Sequence, residues 1–540
     1  MNILSNIGNN IIRFFESLID SILPGIFPTL TILFIFCFFV YYLIVIQPRK
    51  GTTEWVQVEL EKEKRSLTFL TRRHPLERKD IEPLAIITVV FLFLAVFNLG
   101  ETNKVDVTNE IRVLIETKAL SPGSDHLNNM YFDEIYFVRT AVEHIENLTP
   151  YEISHPPLGK EIIAASILTF GMSPLGWRLF GAIFGVLMVS VMYIFIKNMF
   201  GRTFVAACGA LLLGFDFMRY VQTRIGTIDT YAVCFILLAF FFMYRHITTD
   251  PDAPFRKSLT PLALSGLFFG LSFAVKWIGF YAGAGLLIFY VIRLVQLGLY
   301  YRSAEKKGFG LYLTKTLLFS VLFFVIIPAV IYYISYIPYG ISRGLSLRDG
   351  MLWDPEYIKL FWSNQVAMFS YHSSLHATHP FSSEWWQWTF NIRPILYVNN
   401  PYDDAYSIVR AKFGAFGNPV VYWGGFAAMI TMAVRVFTHR DGKALFILIG
   451  YLSQLLPWVF VTRIVFAYHY FPSTLFLVLA LAHIFDSLIV HRKRSGAKSI
   501  LTYTAVTGTV FFMFFPSLSG LYIPNWYYSN IIRWFGSWPF

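Results

Sequence analysis

Long apolar runs separated by short polar connections recur along the whole chain. Each is close to the roughly 20 residues that an α-helix needs to cross the hydrocarbon core of a bilayer. We place twelve predicted spans at 26–46, 83–100, 177–197, 203–219, 229–245, 261–275, 278–295, 315–338, 418–436, 443–461, 469–488 and 499–517. The pattern predicts an all-α polytopic membrane protein.

The connections alternate in charge. The loop 47–82 and every second connection after it are rich in lysine and arginine, which marks the cytoplasmic side. Both termini, with an aromatic tail at 518–540, and the two longest connections, 101–176 and 339–417, are therefore predicted to lie outside. Both long loops are expected close to the membrane. The first contains an apolar segment, 161–170, that is too short to span and predicts an interfacial helix, and the second is rich in Trp and Tyr.

Composition supports this class and excludes others. Of the 540 residues, 56% are hydrophobic and 14% are charged, with a mean hydropathy of +0.54. The three cysteines lie inside apolar runs, so neither a disulfide framework nor a thiolate metal site is expected. The net charge of +11 is dispersed among short loops, which argues against nucleic-acid binding. Residues 1–24 are mildly amphipathic and predict a segment on the membrane surface.

Two adjacent acidic residues, Asp133 and Glu134, stand in the first long loop. The simplest interpretation is the first turn of a helix, whose dipole an acidic pair stabilises, with Asp133 as N-cap. Their aromatic and aliphatic neighbours are Tyr131, Phe132, Ile135, Tyr136 and Phe137. Such neighbours would partly bury the pair and raise a carboxylate pKa, as a general base requires.

The sequence His155-Pro-Pro-Leu-Gly-Lys160 follows about twenty residues later. The two prolines fix the backbone and can start a helix, and Gly159 permits close approach of another segment. In a functional interpretation, His155 and Lys160 are donors that this rigid turn holds near an anion.

Cations gather at the predicted external ends of spans, where the charge bias of membrane proteins disfavours them. They are Arg178, Arg219, Arg224, Lys276 and Arg463, and Asp229 lies in the same turn as Arg224. Snorkelling side chains are the common explanation. The convergence of these cations instead favours an anionic headgroup as ligand, because guanidinium groups match phosphate geometry.

Histidine and aromatic residues are concentrated in the second long loop and before the span at 469–488. They include His372, His376, His379, Trp385, Tyr468 and His469. The spacings of four and three could put the first three histidines on one helix face as a zinc site, although Pro380 breaks such a helix. Sugar stacking and hydroxyl recognition are the favoured alternative.

Together these motifs resemble the protein O-mannosyltransferases, a family of polytopic glycosyltransferases that use lipid-phosphate sugars. The resemblance covers about 83–517. It is carried by Phe132-Asp133-Glu134, His155-Pro-Pro-Leu-Gly-Lys160, Trp177-Arg178-Leu-Phe-Gly-Ala182, Thr223-Arg224-Ile-Gly-Thr-Ile-Asp229-Thr-Tyr231, Lys276-Trp277, His379-Pro380, Ser383-Glu-Trp385-Trp386-Gln-Trp388, Arg393-Pro394 and Arg463-x-x-Phe466-x-Tyr468-His469-Tyr470-x-Pro472. Order, loop side and spacing match together.

The resemblance implies a GT-C glycosyltransferase fold with eleven core membrane helices in 83–517, preceded here by an additional N-terminal part, 1–82, with one extra span. The second long loop is too short and too aromatic to hold the β-trefoil (MIR) insert of eukaryotic members. The chain is therefore similar to the prokaryotic branch. Members of the family often form dimers, which makes a dimer an expectation here.

The resemblance also implies a mechanism. A polyprenyl- or dolichyl-phosphate sugar would donate a mannosyl or similar hexosyl unit to Ser or Thr hydroxyls of secreted or membrane proteins, with inversion. Asp133 would be the general base and Glu134 would orient hydroxyls. The lipid phosphate would bind Arg178, Arg224, Lys276, Arg463 and Lys160, and the sugar or acceptor would bind His155, Asp229, His376, His379, Trp385, Tyr468 and His469. No cofactor and no divalent metal are expected, because the donor is a co-substrate whose phosphate leaves as a stable anion.

Two alternatives remain open. The acceptor could be a lipid or glycan, as in the related aminoarabinose transferases of lipid A. A secondary transporter is a different class, but it predicts inverted repeats and broken helices near the midplane, and no repeat is visible. The expected location is the cell membrane with the active site outside, or the endoplasmic reticulum membrane if the source is eukaryotic.

Overall fold

The computed structural model describes residues 74–100, 130–375, 377–401 and 408–540. The predicted span 26–46 and the amphipathic segment 1–24 lie outside the described residues. The first half of the described chain contains α1 (Arg78–Val96), α2 (Glu134–Ile145), α3 (Leu158–Phe170), α4 (Pro174–Phe200), α5 (Thr203–Gly214), α6 (Phe217–Gln222), α7 (Asp229–Ile247), α8 (Phe255–Val275) and α9 (Gly279–Ser303).

The second half contains further helices and three short strands. The helices are α10 (Phe309–Val321), α11 (Ile327–Ile334), α12 (Ile337–Ile341), α13 (Pro355–Ser374), α14 (Trp385–Trp388), α15 (Pro419–His439), α16 (Gly442–Leu455), α17 (Phe471–Leu518) and α18 (Asn525–Tyr527). A π-helical turn, Leu322–Ile326, joins α10 to α11, and a 3₁₀ turn, Ala467–Tyr470, leads into α17. The prediction of a mostly helical fold is confirmed.

Eight helical stretches in the described chain are long and apolar enough to cross a membrane. They are Pro174–Phe200, Asp229–Ile247, Phe255–Val275, Gly279–Ser303, Phe309–Ile341, Pro419–His439, Gly442–Phe460 and Ala467–Leu518. These stretches make the chain a multi-pass membrane protein. The number of spans stays a prediction, because α1 and α5 fall outside this set although both carry predicted spans.

One predicted span has a different local structure from the one expected. The run 203–219 is interrupted after Gly214, because the Asp216 side chain accepts a hydrogen bond from the Arg219 amide and starts α6. The runs 469–488 and 499–517 are two helical segments, as predicted, and a kink at Lys493, whose φ is 45°, separates them within the range labelled α17. Apolar periodicity places such helices well, but it does not reveal a break set by one cap or one residue.

Several helices begin where side chains cap them. Ser173 accepts from the Gly176 amide and Pro174 occupies the first turn of α4, and Asn418 and Pro419 do the same for α15. Gly201, with φ 78°, ends α4 in the left-handed region, which glycine adopts without strain. The Ser173 cap fixes the end of α4 that carries Arg178.

The second long loop contains a small antiparallel sheet, which the all-α prediction missed. Strand β1 (Ile395–Pro401) pairs with β2 (Val409–Ala415), and β2 pairs with β3 (Ile523–Pro524) from the C-terminal tail. Most of β1 is buried, with only Asn399 exposed. A strand buried on both faces lacks the alternation of apolar and polar residues by which a strand is predicted.

The loop between α2 and α3 is packed tightly on the membrane helices. A Cβ added to Gly159 would lie 2.6 Å from Ile228 Cγ2 and 3.1 Å from Val275 Cγ1. The His-Pro-Pro-Leu-Gly segment therefore lies directly against the N-terminus of α7 and the C-terminus of α8. This contact brings the two sequence motifs of the first loop to one end of the helical bundle.

Candidate active site

Asp133 is the N-cap residue of α2, but its side chain does not cap the helix. Within the described part of the chain, the Asp133 carboxylate accepts no hydrogen bond, although it is only partly exposed. Burial raises the pKa of Asp133 to about 7, Lys276 opposes this, and the negative charges of Asp229 and Glu152 add to it. An uncommitted carboxylate of this kind can accept a proton near neutral pH.

Glu134 is placed differently. Its carboxylate is fully buried and accepts two hydrogen bonds from Arg178, with Nε–Oε1 2.8 Å and Nη2–Oε2 2.9 Å. The Gly226 amide donates to Oε1 at 2.8 Å, and Arg178 Nη1 donates to the Leu99 carbonyl at 3.0 Å. Glu134 was expected to orient hydroxyls and Arg178 to bind phosphate. In the structure the two side chains instead bind each other through two hydrogen bonds.

Asp229 and Lys276 form a second buried ion pair beside Asp133. Lys276 Nζ lies 2.8 and 2.9 Å from the two carboxylate oxygens of Asp229, and it lies 5.5 Å from the centre of the Tyr468 ring. Asp229 begins α7 and Lys276 follows the end of α8, so each charge lies at the helix terminus that stabilises it. The charge of Lys276 is shared between Asp229 and Asp133.

The turn after α2 contains Glu152, a residue that the sequence reasoning missed. Lys160 Nζ donates to Glu152 Oε2 at 2.8 Å, to the Glu152 carbonyl at 2.8 Å and to the His155 carbonyl at 2.9 Å. Lys160 is fully buried and its ammonium is held by these three acceptors, so its phosphate role stays a prediction that this geometry does not favour. An acidic residue eight positions before the lysine was the available signal.

Glu152 also holds His155. The distance from His155 Nδ1 to Glu152 Oε1 is 3.1 Å, which leaves Nε2 for another partner. Burial lowers the pKa of His155, although Glu152 opposes this. Burial disfavours the Glu152 anion, but Lys160 and His155 outweigh it and keep the pKa of that carboxyl well below its usual range. A neutral His155 with a proton on Nδ1 presents Nε2 as a hydrogen-bond acceptor.

Two of the predicted phosphate ligands have no carboxylate partner among the described residues. Arg463 Nη1 donates to the Ile464 carbonyl at 3.1 Å, and its charge acts on Tyr371, which also lies in the field of Asp133. Arg224 Nη1 donates to the Leu94 carbonyl at 3.1 Å and to the Tyr220 hydroxyl. Arg463 therefore shares its surroundings with Asp133.

Arg224 lines a separate small cavity of about 20 Å³, which is room for about one water molecule. The other lining residues are Asn98, Leu99, Tyr131, Arg178, Val221, Phe413, Leu518 and Ser519. Asp133 is not one of them. The predicted phosphate cations are thus divided between two places, and the cavity adjoins the Glu134–Arg178 pair.

The aromatic and histidine residues that were predicted to bind the sugar or acceptor do not all lie near Asp133. Tyr468 lies within the field of Asp133 and Asp229. The His469 ring is buried in aromatic packing, with its centre 4.3 Å from that of Trp458. His379 Nδ1 accepts from the Phe381 amide at 3.1 Å. Trp385 is partly buried and packs against the core.

His372 and His379 do not share one helix face, which the zinc alternative would have needed. Helix α13 ends at Ser374, so His379 is not on it, and His376 lies outside the described residues. His372 contacts the Ser154 carbonyl through Nε2 at 2.8 Å. In the described ranges, no group of three or more His, Cys, Asp or Glu residues is arranged to hold a metal ion.

Two family models match the chain on either side of a short gap. Residues 167–338 match the model described as dolichyl-phosphate-mannose-protein mannosyltransferase, and residues 357–538 match that of the C-terminal four TMM region of protein-O-mannosyltransferase. The chain belongs to the protein O-mannosyltransferase family. The two matched ranges hold the Asp229–Lys276 pair, Arg178, Arg463 and Tyr468. Asp133, Glu134 and the Glu152–Lys160 pair precede both ranges.

Relatives and a solved structure agree with this family. A polyprenol-phosphate-mannose–protein mannosyltransferase of Mycobacterium tuberculosis is 26% identical over 468 residues, which cover 75% of this chain and 86% of the relative. That of Corynebacterium glutamicum is 27% identical over 431 residues, covering 72% and 81%. A chain of the Saccharomyces cerevisiae Pmt1–Pmt2 complex bound to the sugar donor shares the fold, with a TM-score of 0.70 at 13% identity over 88% of this chain and 94% of that one.

Proposed function

We propose that this protein transfers a mannosyl unit from a polyprenyl-phosphate donor to serine or threonine hydroxyls of proteins. The observation that carries the proposal is the Asp133 carboxylate, which is partly buried, free of hydrogen bonds within the described chain and close to Lys276. The names of the bacterial relatives support the donor and the acceptor class. The donor-bound Pmt1–Pmt2 structure supports the fold in which such a donor is used.

In the proposed reaction, Asp133 accepts the proton of the acceptor hydroxyl. The acceptor oxygen forms a bond to the anomeric carbon while the bond from that carbon to the phosphate oxygen breaks. The electron pair of the broken bond stays with the polyprenyl phosphate, and the sugar inverts its configuration. A carboxylate with a pKa near 7 suits this step, because it is largely ionised at physiological pH and still basic enough to take the proton.

The leaving phosphate needs positive charge at the same surface. Arg463 has no carboxylate partner among the described residues, and Lys276 lies between Asp229 and the Asp133 region. We assign the phosphate to these two cations. They stabilise the charge that develops as the bond breaks, so the proposed step uses no divalent metal.

His155 is assigned to a hydroxyl rather than to the phosphate. Its Nδ1 is bound by Glu152, and the neutral ring offers the Nε2 lone pair. A lone pair accepts a hydrogen bond from a sugar or acceptor hydroxyl and repels a phosphate oxygen. This assignment agrees with the sugar or acceptor role that the family resemblance implies for His155, and not with the donor role that the motif alone suggested.

We also propose that the site faces the outside of the cell membrane, from the distribution of basic residues between alternate connections. A cysteine introduced at exposed Glu146 should react with an impermeant maleimide in intact cells, whereas one introduced at Arg494 should react only after lysis. The reverse labelling would overturn this orientation. Dimerisation stays a prediction, and light scattering of the protein in detergent would test it.

The decisive experiment is sugar transfer by the purified protein in vesicles. Radiolabelled polyprenyl-phosphate mannose is supplied with a peptide that contains one threonine, and a matched peptide with alanine at that position is the control. We expect transfer to the threonine peptide alone, and loss of transfer in Asp133→Asn while Glu146→Gln keeps it. Labelled lipid or glycan without labelled peptide would overturn the acceptor, and an active Asp133→Asn would overturn the base.

A further inference from the structure

The residue before the proposed base has an unusual backbone. Phe132 has a φ of 53°, in the left-handed region that bulky residues rarely adopt. The following amides of Glu134 and Ile135 donate to the carbonyls of Tyr131 and Phe132, at 3.2 and 3.3 Å, to form the turn that begins α2. A strained residue of this kind persists only where its surroundings hold it.

The ring of Phe132 is held by the small sheet. It stacks on Tyr397 of β1, with ring centres 4.1 Å apart and planes at 24°. The Tyr397 hydroxyl donates to Gln222 Oε1 of α6 at 2.7 Å. Tyr397 is therefore anchored at both ends, by its strand and by helix α6, and Phe132 packs against this fixed surface.

Asp133 depends on this packing for its position. Its carboxylate has no hydrogen bond of its own in the described chain, so the backbone of the turn alone directs it. The Tyr397 ring lies within the field of Asp133 and contributes to its apolar surroundings. Displacing Phe132 would move the carboxylate and open it to water.

We propose that Tyr397 is a positioning residue, whose ring holds Phe132 in its left-handed conformation and so directs the Asp133 carboxylate toward the acceptor hydroxyl. This inference rests on the proposed function of Asp133. In this proposal, the sheet formed by the second long loop and the C-terminal tail affects catalysis through Phe132 and does not contact the substrate. The role needs an aromatic ring at 397, and the hydroxyl fixes that ring to α6.

The test uses four variants, assayed for transfer from polyprenyl-phosphate mannose to the threonine peptide. In Tyr397→Ala, kcat should fall about 100-fold, since a displacement of about 1 Å costs that much, while the KM of the donor changes little. Tyr397→Phe keeps the ring stack, so its kcat should fall by no more than about threefold. That loss is smaller than the typical net free-energy contribution of the one hydrogen bond that is removed. Tyr528→Ala is the matched control, because Tyr528 is buried under β2 and accepts from the Lys412 amide at 2.8 Å without touching Phe132.

The sharpest comparison is Phe132→Gly in the Tyr397→Ala background. Glycine adopts a positive φ without strain, so the double variant should have about ten times the kcat of Tyr397→Ala alone. A tenfold gain corresponds to the lower part of the free-energy range for relieving one strained backbone residue. No recovery, or a rise in donor KM with unchanged kcat, would overturn the proposal and make Tyr397 a structural or substrate contact.

A pH profile distinguishes positioning from a general loss of structure. The groups that act on Asp133 or feel its charge are Lys276, Asp229, Glu152, Tyr371, Tyr397 and Tyr468. Removing the Tyr397 ring uncovers the carboxylate, so the acid limb of kcat should move to lower pH in Tyr397→Ala and stay in place in Tyr528→Ala. An unmoved limb in Tyr397→Ala would contradict the proposal. If Asp133→Asn were active, the proposed base would fail instead, whatever Tyr397 does.

Discussion

Glu134 and Arg178 bind each other through two parallel hydrogen bonds of 2.8 and 2.9 Å in a fully buried position. Glu134 is therefore unavailable as a proton acceptor. The adjacent Asp133, which lacks such a partner in the described chain, is the one that can react. Two neighbouring carboxylates have thus been given opposite environments. Glu134 fixes the start of α2 to α4, whereas the Asp133 side chain is partly exposed and has no hydrogen bond in the described chain.

Glu134→Gln should destabilise the protein more than it changes the chemistry. The amide leaves the Arg178 charge buried without an anion, which costs about 3 kcal/mol of the free energy of unfolding. The melting midpoint in detergent should fall, and adding Arg178→Met should recover part of the loss because no unpaired charge then remains. Exposed Glu146 on the same helix provides the control Glu146→Gln. Equal stability of Glu134→Gln and the control would contradict the structural role.

The rate of transfer should depend on pH through Asp133. The base works only when ionised, and its pKa of about 7 places the acid limb of kcat near neutrality. Below that pH, the rate should fall about tenfold per pH unit, because the ionised fraction does so. A limb near pH 4, the ordinary range of an aspartate, would mean that the carboxylate is not buried as described. Peptide transfer measured from pH 5 to 9 decides between the two.

How much of this could be read from the sequence depends on the kind of interaction. The helices follow from long apolar runs, and Asp133, Lys276 and Arg463 stand out because charges near a membrane are rare. The ion pairs Glu134–Arg178 and Glu152–Lys160 join residues 44 and 8 positions apart, and pairing of that kind is set by packing rather than by spacing. Because sequence spacing does not reveal such pairs, the phosphate role predicted for Lys160 took no account of its buried partner Glu152.

Strand β1 escaped prediction for a different physical reason. Its residues are buried on both faces, so the sequence Ile-Leu-Tyr-Val has no alternation. The third strand of the sheet comes from the distant C-terminal tail. The stacking of Tyr397 on Phe132 follows from that pairing. The Trp and Tyr residues of the second long loop indicated a segment at the depth of the lipid headgroups, and they gave no sign of a sheet.

Asp229 and Lys276 should shift the acid limb in opposite directions. The negative charge of Asp229 raises the pKa of Asp133 and the positive charge of Lys276 lowers it, in addition to the effect of burial. Asp229→Asn should therefore move the limb to lower pH, and Lys276→Met should move it to higher pH. The same pH series on each variant measures this. Shifts of the same sign would show that the pair acts on Asp133 through altered packing instead of charge.

Glu152→Gln should separate a structural from a positioning effect at His155. Losing the anion leaves the buried Lys160 unpaired, which should lower the free energy of unfolding by about 3 kcal/mol. The double variant Glu152→Gln/Lys160→Met should recover stability. It still lacks the carboxylate that orients His155 Nδ1, so kcat or the acceptor KM should stay impaired. Full recovery of both stability and kinetics would show that Glu152 serves Lys160 alone.

Arg463→Gln should weaken donor binding more than it weakens acceptor binding. The guanidinium has no carboxylate partner among the described residues, and losing one charge-assisted contact to phosphate costs about 2 kcal/mol, or about 30-fold in the donor KM. Arg463→Lys keeps the charge but not the planar fork, so it should lie between the wild type and Gln. Arg348, which is exposed in the second long loop, supplies the control Arg348→Gln. An unchanged donor KM in Arg463→Gln would contradict this assignment of the phosphate. The same measurement on Arg224→Gln would then test the other predicted cation that has no carboxylate partner in the described chain.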